Sequence, residues 1–188
     1  VASWNHTFNK DQSLRIATVR GGNVIGGGDY SAFRLIPDIY NAYATDTTLI
    51  IRSPLATRPW QHVIDSSLAY LLFGSSIAEA NTSDYPSSLN IGPTQSTPIS
   101  VNEVCKIAQE QLPGFHFKSQ IDHCEEKNIE HLYLSLDTSL MKNYLKFEPT
   151  LNPRMSISHT LNWYHNVHHN KNDRISASVH AIDCYLNM

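Results

Sequence analysis

The chain has 188 residues, with 14 Lys+Arg against 17 Asp+Glu, a formal charge of -3, 41% hydrophobic residues and 16% charged ones. A chain of this length is about one ordinary domain and buries roughly 70% of its unfolded surface, so a core forms without disulfides or a metal, and the composition is globular rather than disordered. Scattered basic residues give no electrostatic footprint for nucleic acid or an anionic membrane, and no run of about 18 apolar residues is present to span a bilayer.

Val1 to Phe8 reads as the interior of an amphipathic helix with no capping residue and no start methionine, as expected of a piece of a longer chain. Leu14 to Arg20 is a short β-branched run that stops at a glycine cluster, the pattern of a buried strand feeding a tight loop. Five of the eight glycines fall between Gly21 and Gly28. A helix over Leu35 to Ala44, a strand at Leu49 to Arg52, a Pro-bounded loop from Ser53 to Trp60 and an apolar helix from Asp65 to Ala80 follow. Ser88 to Pro93 reads as a strand ended by Gly-Pro, and Ser100 with Glu103 forms a capping box opening a helix to Leu112. Strands are expected at Phe115 to Ser119 and His131 to Ser135, and helices at Thr138 to Leu145, Met155 to His168 and Arg174 to Leu186. Strand and helix alternate, so the class is α/β with a helical tail.

The three cysteines, Cys105, Cys124 and Cys184, are odd in number and widely spaced, which fits reduced thiols of a cytoplasmic protein better than a disulfide framework. The triplets Asn5-His6-Thr7 and Asn81-Thr82-Ser83 then read as chance matches to a glycosylation pattern. His165, His168 and His169 share one helical face, but no carboxylate or fourth ligand is fixed by spacing, so metal binding is not expected.

The loop Gly21 to Asp29 follows a strand, where glycines let backbone N–H groups approach an anion, yet it matches neither G-x-G-x-x-G nor a P-loop. A turn and a binding loop are both compatible with it. Asn23 leaves the strand where its amide can reach a ligand oxygen or cap its own loop. Arg58 stands alone between a polar loop and an apolar helix, and Arg34 offers a second cation earlier in the chain. A guanidinium fork matches phosphate oxygens, at roughly 1.5–3 kcal/mol for each charge-assisted bond when water is partly excluded, against at most about 1 kcal/mol for a surface salt bridge. Two arginines and one asparagine bracketing a diphosphate is the functional reading. No tyrosine has lysine four residues later, so the tyrosine-lysine pair of short-chain hydride-transfer enzymes is not in this chain.

Taken together, Ala17-Thr18-Val19-Arg20-Gly21-Gly22-Asn23-Val24-Ile25-Gly26-Gly27-Gly28-Asp29, Arg34-Leu35-Ile36-Pro37-Asp38 and Thr57-Arg58-Pro59-Trp60-Gln61-His62-Val63 resemble the CDP-glucose 4,6-dehydratases, extended short-chain dehydrogenase/reductases acting on nucleotide sugars. Leu89 to Pro93, Leu134 to Asp137 and Thr160 to Tyr164 continue the resemblance in the same order. It implies that the chain is the C-terminal half of such an enzyme. Residues 1–22 and 60–92 would be the remainder of a Rossmann-like NAD-binding domain, and 23–59 and 93–188 a smaller α/β substrate-binding domain. It further implies NAD as cofactor, CDP-glucose as substrate and a homodimer completed by the helix at Val1 to Lys10. Asn23, Arg34 and Arg58 would hold the nucleotide diphosphate, with Leu35 and Ile36 near the base. The catalytic pair would lie outside this chain, leaving it without activity alone. Phe33 stands where the family has Asp, Leu140 where it has Lys, and Leu145-Lys146-Phe147 where it has Leu-Gly-Trp.

Overall fold

A computed structural model describes residues 14–80, 84–94, 98–120, 133–169 and 173–188, together with Ser3, Thr7 and Phe8. In chain order the elements are β1 (Thr18–Gly21), β2 (Asn23–Ile25), α1 (Leu35–Ala44), β3 (Thr48–Ile51), β4 (Thr57–Arg58), β5 (Trp60–His62), α2 (Val63–Glu79), β6 (Ser88–Ile91), β7 (Ile99–Ser100), α3 (Val101–Gln111), β8 (His116–Ser119), α4 (Ser139–Leu145), α5 (Pro153–His169) and α6 (Arg174–Leu186). Three parallel pairs, β1 with β6, β2 with β5 and β3 with β8, and the antiparallel pair β4 with β7 make this an α/β fold.

The register explains the first core. Val19 lies opposite Leu89, and Leu89 and Ile91 share a face because side chains alternate along a strand. That face packs against Ala69 and Phe73 of α2 and Met141 of α4, all nearly or fully buried. The second, larger core lies around α5, whose Ile157, Leu161 and Tyr164 are 0% exposed and meet Ile36 and Ile39 of α1 and Val104 and Ile107 of α3. These positions recur at helical spacing, which is how one stripe of each helix is buried.

The capping box is formed: the Ser100 hydroxyl accepts from the Glu103 N–H at 3.3 Å while the Glu103 carboxylate accepts from the Ser100 N–H at 2.8 Å. The helix read from Met155 starts earlier, at Pro153, a residue whose fixed φ and missing N–H suit a first helical turn. The strand read over His131 to Ser135 is not formed among the described residues. Tyr133 makes one isolated bridge to Thr57, and residues 134–138 run without regular structure. Positions 131 and 132, Cys124, both asparagines of the glycosylation-type triplets and most of the helix read over 1–10 lie outside the described residues; Ser3, Thr7 and Phe8 of that segment are helical.

Candidate functional site

The glycine cluster is shaped by packing. A Cβ on Gly22 would stand 2.6 Å from the Pro59 carbonyl oxygen, and one on Gly27 would collide with the Trp163 ring. Bare backbone at Gly22 lets β2 run beside β5, and the Asn23 N–H donates to the Pro59 carbonyl at 2.9 Å. Asn23 is thus held beside the Arg58-Pro59-Trp60 segment, with its own register partner at Trp60.

Arg58 is fixed by what surrounds it. β4 pairs with β7, Thr57 opposite Ser100 and Arg58 opposite Ile99. The Val101 N–H donates to the Ala56 carbonyl and the Asn102 N–H to the Pro54 carbonyl, each at 2.9 Å, so the Pro-bounded loop is tied to the start of α3. The Trp60 indole N–H donates to the Ile99 carbonyl at 3.0 Å. The half-buried Arg58 donates one guanidinium N–H to the Thr57 carbonyl at 2.8 Å. It lines a cavity of about 310 Å³ together with Pro59, Thr94, Ile99, Tyr133 and Asp137. A cleft of this size, apolar at its prolines and carrying one cation, is at the lower end of what small-molecule sites use. The Asn23 backbone is bonded to Pro59, next to Arg58 in the chain, but Asn23, like Arg34, Leu35 and Ile36, does not line this cavity.

Arg34 sits one residue before α1, its side chain 66% exposed and 3.4 Å from the Asp29 carboxylate. Hydrogen bonds from Ser31, with the Arg34 cation adding to them, hold the Asp29 carboxyl below the usual range. Leu35 is half-buried against the larger core, and Ile36, 3% exposed, is within it. The Tyr164 hydroxyl donates to the Asp29 carbonyl, anchoring the loop to α5. Burial raises the phenols of Tyr40, Tyr43, Tyr164 and Tyr185, so none of these is tuned toward neutrality as a base would be. His165 and His168 face the rings of Tyr40 and Tyr43.

Sequence reading did not place Tyr133 and Asp137 at a site. The Leu134 to Asp137 string carried a family likeness but no chemistry of its own, and the bridge from Tyr133 to Thr57 and the Asn90 amide donating to the Asp137 carbonyl at 2.9 Å bring it against Arg58. Asp65 was also passed over. Buried at 0% exposure, it accepts hydrogen bonds from the Thr150 N–H at 2.7 Å, the Leu151 N–H at 3.2 Å and the Tyr185 hydroxyl at 2.7 Å, and so ties α2 to α5 and α6.

The fold matches those of solved structures that include nucleotide-sugar epimerases and a dehydratase. A UDP-glucose 4-epimerase from Stenotrophomonas maltophila, solved with NAD and formylated UDP-arabinopyranose, matches with a TM-score of 0.70 at 17% identity over 88% of this chain and 52% of that one. Pal from Bacillus thuringiensis matches with a TM-score of 0.67 at 17% identity, over 88% of this chain and 49% of that chain. TunA, an NAD-dependent NDP-hexosamine 5,6-dehydratase of tunicamycin biosynthesis, matches with a TM-score of 0.64 at 20% identity, over 88% and 50%. The particular likeness read from the sequence stands beside this: the chain is 43% identical over 72 residues to the CDP-glucose 4,6-dehydratase of Salmonella typhimurium, spanning 36% of this chain and 20% of that protein. The chain therefore covers about half the length of these structures and a fifth of the curated relative. No family model matches it. Among the described residues no helix is long and apolar enough to cross a membrane.

Proposed function

We propose that this chain is the sugar-nucleotide-holding half of a CDP-glucose 4,6-dehydratase, a hydro-lyase that converts CDP-glucose to CDP-4-keto-6-deoxyglucose. The observation that carries this is Arg58 lining a cavity of about 310 Å³, with Asn23 locked beside it through Pro59. In that role Arg58 offers its guanidinium fork to the diphosphate through charge-assisted bonds. Asn23 supplies a neutral donor, and Arg34 a second cation from the start of α1. Such a chain works by orientation, which contributes to rate without covalent chemistry.

When bound, NAD takes up hydride from the sugar and returns it. The parallel strands β1 and β6 fit the margin of a dinucleotide site, because their carboxyl ends run into Gly21-Gly22 and Gly92, and ligands of parallel sheets bind at that end. The 188 residues hold neither the glycine fingerprint nor a tyrosine with lysine four residues on, so their share of such a site is its edge. In a division into residues 1–22 and 60–92 against 23–59 and 93–188, Val19, Phe73 and Leu89 fall in one core and Ile36, Val104 and Leu161 in the other, while Trp60 of the first unit packs into the second core. In this reading α4, from the second segment, clamps onto the first.

The 43% identity to a CDP-glucose 4,6-dehydratase favours that substrate over other nucleotide sugars. The test is product analysis by mass spectrometry after incubation with CDP-glucose or dTDP-glucose and NAD, with the chain alone and with a supplied amino-terminal half from the relative. Loss of one water from CDP-glucose in the reconstituted sample supports the proposal. Turnover of dTDP-glucose instead, or an isomer of unchanged mass, overturns it.

A further inference from the structure

Phe33 is the most exposed large apolar side chain of the described residues, 91% accessible, and its φ of 63° lies in the left-handed region. Both features are unfavourable: a bulky side chain in that region is strained, and an open phenyl ring leaves apolar surface in water. Ser31, Ala32 and Arg34 beside it in the chain are exposed as well. Cations stand close by. Arg34 follows directly, 66% exposed in its side chain with only a 3.4 Å contact to Asp29, and the Arg174 guanidinium lies 4.7 Å above the ring of Tyr30 on the same loop.

An accessible aromatic face next to a loosely engaged arginine matches a nucleotide, which carries a planar base and an anionic diphosphate on one molecule. We propose that Phe33 is a positioning residue that stacks on the nucleobase while Arg34 engages the phosphates. The inference rests on the nucleotide-sugar reading above and adds to it which side chain takes the base. Stacking is tolerant of base identity, so Phe33 contributes affinity and orientation rather than a choice between pyrimidines.

The variant Phe33→Asn tests this, because asparagine tolerates a positive φ and the loop keeps its shape. Calorimetry compares the unmodified chain and the variant with three probes: cytidine diphosphate, uridine diphosphate and inorganic pyrophosphate. Affinity for both nucleotides is expected to fall about 5- to 100-fold, with pyrophosphate affinity unchanged and the melting temperature equal or higher. Phe33→Trp is expected to retain nucleotide affinity. Equal nucleotide affinities in Phe33→Asn and the unmodified chain overturn the stacking role while leaving the nucleotide reading intact. Equal losses for nucleotides and pyrophosphate assign Phe33 to loop structure and also overturn it. No binding of any probe by the unmodified chain overturns the nucleotide reading and the role of Phe33 with it.

Discussion

Arg58 is placed along its backbone by the pairing of β4 with β7 and by Pro59 packed against Gly22, and it lines the cavity. A backbone held on both sides reduces part of the ordering an arginine undergoes on binding an anion. A few positions on, His62 shows the opposite use of a titratable group. It is 4% exposed, its ring 6.2 Å from that of His159, and it accepts a hydrogen bond from the Ile64 N–H at 3.3 Å. Burial, with the second histidine adding to it, pushes its pKa down to about 4. The unfolded chain takes up this proton below about 6.5 while the folded chain refuses it until about 4, so stability is complete above pH 6.5 and is lost as the pH falls toward 4. The loss is on the order of 3 kcal/mol. Denaturant midpoints at pH 7 and pH 4 check this: the acid-induced drop is expected to be smaller in His62→Asn, which keeps an acceptor for Ile64 but no imidazole. An equal drop in both proteins would contradict the assignment.

Among the elements, those with local signals were legible and those without were not. Ser100 and Glu103 announced the start of α3, and the helices read over Leu35 to Ala44, Asp65 to Ala80 and Met155 to His168 match α1, α2 and α5, because caps and apolar runs are written within a few residues of where they act. β4, β5 and β7 carry two or three residues each, and their pairing joins Thr57 to Ser100 and Asn23 to Trp60, so no window of sequence contains both partners. The glycine cluster was ambiguous for the same reason: the ring that requires Gly27 belongs to Trp163, far along the chain. The end of α4 carries a departure with a measurable cost. Lys146 occupies the left-handed C-cap at φ 52°, where the resembled family has glycine. Lys146→Gly is expected to stabilise the fold by about 1 kcal/mol, seen as a higher denaturant midpoint, because glycine adopts this conformation without a Cβ clash. A lower midpoint would mean that the lysine stem or its 2.6 Å neighbour pair, Lys142 with Glu148, depends on that residue.

Over the whole molecule, two cores are joined where β5 runs directly into α2, and Asp65 on that helix ties it to the loop before α5 and to Tyr185 of α6. The cavity lies beside this junction, walled by residues from β4, from the segment after β6 and from 133–137. The sequence singled out Arg58, which lines this cavity, but not the cavity's walls, since Tyr133 and Asp137 are brought beside it by contacts between distant segments, the Tyr133–Thr57 bridge and the Asn90–Asp137 hydrogen bond. The chain spans about half the length of its structural relatives, so under the proposed function this cavity would hold the nucleotide sugar while the reacting groups come from the remainder of the enzyme. The most direct measurement is calorimetric titration of CDP-glucose into the chain and into Arg58→Ala. Saturable binding that weakens about 10- to 100-fold on losing the guanidinium is the expected result. Binding of equal strength in both proteins, or no binding to the unmodified chain, would contradict the claim that Arg58 holds a nucleotide sugar.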